Sequence, residues 1–151
     1  LDGAQATYTM FGHSAGSHFL HRFLYYVPDA RVKRAIAANA GWYTMPDYGV
    51  DYPYGLDGSG VPESVLANYF ARDLVVLLGD ADTVREDEDL RKAPEAELQG
   101  RHRYDRGHTF YRVARAKAGD LGVDFGWRLV EVPGAGHSNA EMTPAAALLV
   151  D

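Results

Sequence analysis

TMFGHSAGSHFLHRFL, residues 9–24, runs apolar into Gly12-His13-Ser14-Ala15-Gly16 and then resumes with the spacing of a helix. Upstream, Ala6 to Phe11 is short, rich in β-formers and apolar on both faces, the pattern of a buried parallel strand. Downstream, from Ser17 to Val27, Phe19, Leu20, Phe23, Leu24 and Val27 share one helix face, while His18, His21, Arg22 and Tyr25 take the other; Pro28 stops the helix. A serine set between two glycines at such a junction fits a sharp turn. Neighbours without side chains let the chain fold back and push the hydroxyl into the open. The helix then aims its N-terminus at that hydroxyl, where the Ala15 N–H and the helix dipole can stabilise an oxyanion.

The rest of the chain repeats the strand-then-helix alternation. Further strands are predicted at Ala35–Asn39, Leu74–Leu78 and Trp127–Val132, the last closed by Pro133-Gly134. A helix is predicted from Tyr104 to Ala118, with Phe110, Val113, Ala114 and Lys117 along one stripe. Thr143-Pro144-Ala145 reads as the opening of a last helix, with proline in its permitted first turn. This alternation implies an α/β fold: a mostly parallel sheet of about four strands with helices on both faces.

With 151 residues, 46% of them hydrophobic, the chain is expected to form a single domain. A net charge of −6 argues against nucleic acid or an anionic membrane surface as partner, because both need clustered Lys and Arg. No apolar run approaches the roughly 20 residues of a membrane-spanning helix. The absence of cysteine removes disulfides, thiolate metal sites and cysteine nucleophiles, and leaves the compartment open. Leu1-Asp2-Gly3 provides no initiating Met, and the chain reads like the interior of a longer protein.

A serine hydroxyl at neutral pH is a weak nucleophile and needs a histidine base, itself oriented by a carboxylate. Two loops supply candidates. Leu77-Leu78-Gly79-Asp80-Ala81-Asp82-Thr83 follows the clearest strand, and Val132-Pro133-Gly134-Ala135-Gly136-His137-Ser138 follows the last. Both leave the C-terminal edge of the sheet, where ligands gather in open α/β folds. The order Ser, Asp, His along the chain is the one expected of this kind of sheet.

Other polar features read as structural. His18 and His21 share a helix face but lack a third ligand at sensible spacing, so no metal site is expected. Arg101, Arg103 and Arg106 could hold a carboxylate, but a solvated helix start is the expected role. Glu86-Asp87-Glu88-Asp89 is likewise expected to be a solvated helix start. The irregular segment 42–62, carrying Trp42, Tyr43, Tyr48, Tyr52 and Tyr54, is either a lid or binding loop or a surface loop pinned by its own tyrosines.

Taken together, the GHSAG, LLGDADT and VPGAGHS motifs and their spacing resemble the C-terminal half of an α/β-hydrolase. The resemblance covers nearly all of the chain. Among these enzymes, it is most similar to bacterial esterases related to polyhydroxybutyrate depolymerases and feruloyl esterases. The resemblance implies a partial α/β-hydrolase domain spanning 1–151, with the N-terminal half and one oxyanion donor absent. It implies Ser14 as nucleophile, Asp82 as the triad acid with Asp80 as runner-up, His137 as general base and Ala15 in the oxyanion hole. Trp42, Tyr43 and His13 are expected at the substrate, His13 without a role as base. The implied activity is hydrolysis of a small or polymeric carboxylic ester through an acyl-enzyme, with no cofactor and no metal. A peptidase or thioesterase on the same scaffold is the alternative, as is a catalytically silent binding protein. Oligomeric state and localisation are left open.

Overall fold

Short runs rich in apolar and β-forming residues become strands: β1 (Tyr8–His13), β2 (Val32–Ala38), β3 (Leu74–Gly79) and β4 (Arg128–Val132) in a computed structural model that describes residues 6–151. They form one sheet in the order β1-β2-β3-β4, and each neighbouring pair is parallel. Parallel neighbours require crossovers, and helices α1 (Ala15–Tyr26), α2 (Leu66–Ala71), α3 (Pro94–Gln99), α4 (Arg103–Leu121) and α5 (Asn139–Ala147) lie on these connections and after β4.

Alternation along β3 divides the interior. Leu74, Val76 and Leu78 face a large core with Leu20 and Leu24 of α1, Tyr69 and Phe70 of α2, and Phe110 of α4. Val75 and Leu77 face a smaller core with Ile36, Ala38 and, from α5, Met142 and Ala146. Burial on both faces explains why the β3 sequence is apolar throughout. Its C-terminal end, with that of β4, delivers the loops that build the site.

Some expectations are corrected. β1, expected to be buried on both faces, leaves Tyr8 41% and Phe11 38% exposed; among the described residues it lies at the sheet edge, paired only with β2. The last helix opens at Asn139, not at Thr143. Ser138 caps it by accepting from the Glu141 N–H, and Pro144 lies inside, where it forgoes the one hydrogen bond to Ala140. Residues 86–89 lie in turns, where the Asp87 carboxylate accepts the Asp89 N–H at 2.9 Å and competes with helix formation. Arg103 and Arg106 are buried, not solvated, at 2% and 0% exposure. α2 and α3, of six residues each, are too short to show a period in the sequence.

The 41–44 segment is tied to α1, α3 and α4 through nearly every backbone group. His18 Nε2 accepts the Gly41 N–H at 2.8 Å and the Trp42 N–H at 3.3 Å. Gln99 accepts from the Tyr43 N–H and donates to its carbonyl, at 2.8 and 2.7 Å. His21 Nε2 accepts the Thr44 N–H at 3.0 Å, so its proton is on Nδ1, which donates to the Ser17 carbonyl at 2.7 Å. Arg106 donates to the Gly41 carbonyl at 2.7 Å. Further along, the Tyr48 hydroxyl donates to the Val61 carbonyl at 2.7 Å, and Tyr54, Leu56 and Val61 are buried. Segment 42–62 is thus packed on the body as a wall.

Truncating Phe110, which is fully buried in the large core, to Ala should cost about 3–5 kcal/mol in a urea titration, while Leu98→Ala, at an 87% exposed site, should be nearly neutral. The two histidine acceptors make a second prediction. Burial, with Arg22 adding to it, lowers His18 from 6.5 to about 4, and burial lowers His21 from 6.5 to about 3 against the pull of the Ser17 carbonyl. The unfolded chain takes up protons near pH 6.5 that the native rings refuse. Stability contributed by the neutral rings is therefore whole above that pH and is lost as pH falls toward 4 and then 3. Thermal melts across this range should slope downward with acid, and His21→Gln, which can still accept from Thr44 but does not titrate, should flatten the slope.

Candidate active site

Ser14 stands between β1 and α1 with φ 54° and ψ −114°, a backbone that a non-glycine residue adopts at a cost of about 1–3 kcal/mol. The turn is held by the Ser14 N–H donating to the Ala38 carbonyl at 2.9 Å and by the Ser14 carbonyl accepting from the His18 N–H at 3.1 Å. Gly12 is required sterically, since a Cβ there would overlap the Gly16 carbonyl. Gly16 differs: among the described residues a Cβ there would meet nothing. The Ser14 hydroxyl caps no backbone group, which leaves it free to face the other loops.

His137 arrives from the β4–α5 connection. Its Nδ1 lies 2.8 Å from Asp82 Oδ2, and its Nε2 lies 3.0 Å from Ser14 Oγ. A carboxylate only accepts, so Nδ1 carries the proton and Nε2 is free to accept from the serine. Asp82 is 2% exposed, whereas Asp80 is exposed and accepts the Gly134 N–H at 2.7 Å. Asp80 thus braces the histidine loop, and Asp82 meets the imidazole.

The two loops meet because Gly79 has no side chain: a Cβ there would overlap the Ala135 carbonyl, which accepts the Ala81 N–H at 3.0 Å. Asn39, buried at the end of β2 with φ 48°, completes the junction. Its Oδ1 accepts the Gly79 N–H at 2.9 Å and its Nδ2 donates to the Gly136 carbonyl at 3.2 Å. From α5, Glu141 accepts the Gly136 N–H at 2.7 Å. Sequence reasoning passed over Asn39; its only signal was an asparagine at a strand end, a residue that tolerates positive φ.

A cleft of about 600 Å³ opens over Ser14 and His137. Its walls include Ala15, His18, Trp42, Leu90 and Arg103, and its rim mixes Glu88 and Asp89 with Arg91 and Lys92. Ala15 begins α1, so its N–H is one that a helix start leaves without an intrahelical acceptor. Of the three residues expected at the substrate, Trp42 lines this cleft. Tyr43 does not: it is fully buried, with its ring stacked 4.5 Å from Phe110 and its backbone held by Gln99. His13 packs its ring 4.9 Å from that of His137, and burial followed by the charge of His137 lowers its pKa. Arg103 reaches the site from α4, with Nη1 3.5 Å from Asp82 Oδ1 and 2.5 Å from Asp87 Oδ2. Among the described residues no cluster of His, Cys, Asp or Glu could hold a metal ion. A hydroxyl hydrogen-bonded to an imidazole that is oriented by a buried carboxylate can lose its proton as it attacks, and a helix N-terminus beside it can receive the resulting negative charge.

A scan of protein-family profiles found no match, and neither did a search of curated proteins. Solved structures that resemble this chain include two hydrolases. A poly(aspartic acid) hydrolase-1 from Sphingomonas sp. KT-1 superposes with a TM-score of 0.94 and 46% identity, over 97% of this chain and 55% of that one. LpqC, a poly(3-hydroxybutyrate) depolymerase from Bordetella parapertussis, superposes with a TM-score of 0.88 and 40% identity, over 93% of this chain and 48% of that one. The chain spans about half the length of each. With its all-parallel sheet and the helices on both faces, the chain therefore carries, in part, an esterase-like α/β-hydrolase fold of the kind seen in these two hydrolases.

Proposed function

We propose that this chain supplies the catalytic triad of a serine hydrolase acting on a carboxylic ester. The observation that carries the reading is the relay in which Ser14 Oγ lies 3.0 Å from His137 Nε2 and His137 Nδ1 lies 2.8 Å from Asp82 Oδ2. In acylation, Ser14 Oγ attacks the ester carbonyl carbon while its proton passes to Nε2. The Ala15 N–H donates to the oxyanion. Collapse expels the alkoxide, which takes the proton from Nε2 and leaves as the alcohol. Water then attacks the acyl-serine, gives a proton to Nε2, and that proton returns to Oγ as the acid departs. Asp82 keeps its charge throughout and stabilises the imidazolium.

Two observations favour a neutral ester, monomeric or within a polyester, over a polyanionic chain. The cleft rim carries Glu88 and Asp89 as well as Arg91 and Lys92, so its charges offset, and the whole chain carries −6. Trp42 offers an apolar face for an acyl or alkyl group, held over the cleft by His18 and by Arg22 stacked 5.2 Å above its ring.

The test uses the longest natural form of the protein that contains these residues. A fluorophosphonate should label it at Ser14, and Ser14→Ala should abolish labelling and lower hydrolysis of p-nitrophenyl butyrate by about 10⁴-fold or more. Asp82→Asn, which disturbs the imidazole tautomer, should cost about 10³–10⁴-fold. Equal labelling of wild type and Ser14→Ala would overturn the reading. Hydrolysis of poly(aspartic acid) faster than of poly(3-hydroxybutyrate) would overturn the preference for a neutral ester.

A further inference from the structure

Arg103 is the most unexpected residue near the cleft. It is a guanidinium, 2% exposed, sharing Nη1 between the carboxylate of Asp82 and that of Asp87, while its Nε has no partner among the described residues. A cation beside the triad acid works against the imidazolium that the acid exists to stabilise. Asp87 answers that cation at 2.5 Å from a different segment, the turn that follows the β3 loop. We propose that Arg103 and Asp87 act together as positioning residues, Arg103 fixing Asp82 through the oxygen that does not face His137, and Asp87 cancelling the charge that Arg103 brings. The inference rests on the triad reading above.

The charge count gives the proposal its content. Asp82, Asp87 and Arg103 are two carboxylates and one guanidinium, a net single negative charge in the resting state. When His137 accepts the serine proton, the cluster becomes neutral. Asp82 and Arg103 are buried and Asp87 is half-buried, and around the two buried groups a cluster that is neutral in the charged intermediate is favoured, since an unbalanced charge is costly where the dielectric is low. The Arg103 hydrogen bond holds Asp87 below the ordinary carboxylate range, and the charges of Arg103 and His137 pull in the same direction, so Asp87 is ionised wherever the enzyme would work.

Other groups face the imidazole as well. His13, from the end of β1, is 4.9 Å away ring to ring and has its pKa lowered, first by burial. His18 of α1 lines the same cleft and is lowered to about 4. Glu141 of α5 is engaged by the Gly136 N–H. Glu88, Asp89, Arg91 and Lys92 line the cleft in opposing signs. None of these touches Asp82; Arg103 does, and through it Asp87.

The experiment is the pH dependence of kcat/KM for p-nitrophenyl butyrate in the longest natural form of the protein. Asp87→Asn leaves Arg103 uncancelled, disfavours the imidazolium, and should move the acid limb to lower pH by roughly half a unit or more, with kcat reduced about 10-fold. Arg103→Met removes the cation and should move the same limb to higher pH. The double variant restores the net single negative charge and should bring the limb back toward that of the wild type, and Arg103→Lys should keep the wild-type limb. A purely structural role would lower activity without opposite shifts. If Arg103→Met does not fold, Asp87→Asn alone decides: an unmoved acid limb overturns the inference, as do shifts of both single variants in one direction. Ser14→Ala separates this from failure of the triad reading. If it hydrolyses like the wild type, the triad reading falls and the inference with it; if it is inactive and Asp87→Asn leaves the profile unmoved, the inference alone falls.

Discussion

Where β3 ends, the backbone of the β4–α5 connection passes so close that no side chain fits between them. The Gly79 Cα meets the Ala135 carbonyl, and the rest of the site is arranged around that approach. Because the two backbones touch, Asp82 and His137, which are 55 residues apart, share a hydrogen bond. Asn39 spans the junction from β2, and Asp80 and Glu141 brace the histidine loop at either end. These clamps are mostly hydrogen bonds to backbone groups, made at the C-terminal edge of the sheet, where the strands stop pairing and their polar groups would otherwise be unsatisfied. The same bonds that satisfy the strand ends therefore position the imidazole and the carboxylate.

The electrostatics follow from burial. Asp82, Arg103 and Arg106 are charged groups at or near zero exposure, and each is met by opposite charge or by carbonyl oxygen. Arg106 secures the cleft wall through Gly41, and Arg103 engages the acid of the relay; both project from the first turn of α4, one turn apart. The helix thus spends the two arginines of its opening turn on polar contacts, while Gly107, Phe110, Ala114 and Ala118 pack against Leu78 and the large core. Gly107 allows that packing, since a Cβ there would overlap the Leu78 side chain.

Much of this is legible in the sequence, for definite reasons. β3 announces itself because a strand covered on both faces has no polar positions to confuse the pattern, the apolar cores of β2 and β4 stand out between their charged positions, and the glycine-rich loops after β3 and β4 mark where chemistry can sit. The residues singled out from those loops, Ser14, Asp82 and His137, are brought within hydrogen-bond distance. Less legible is anything decided by pairing across space. Arg103 and Arg106 look like solvated charge because their partners, Asp82, Asp87, Glu97 and the Gly41 and Gly100 carbonyls, are remote or local in ways that no periodicity encodes. Tyr43 looks like its neighbour Trp42, yet one lies in the core against Phe110 and the other on the cleft, a difference set by contacts across space. The exposure of β1 also escapes: its pattern reads as buried on both faces, yet Tyr8 and Phe11 are exposed.

Helix α1 carries more than its position beneath the turn suggests. Ser14 stands at its head, His18 and His21 rise from its next two turns, and through them the backbone of Gly41, Trp42 and Thr44 is fastened to the same cylinder. A shift or tilt of this cylinder would carry the Ser14 hydroxyl and the tryptophan surface along together, so the gap between them is preserved even while both move relative to the sheet. Breathing of the fold would then be felt chiefly on the opposite side, between this unit and the imidazole, at the 3.0 Å contact of Ser14 Oγ with His137 Nε2.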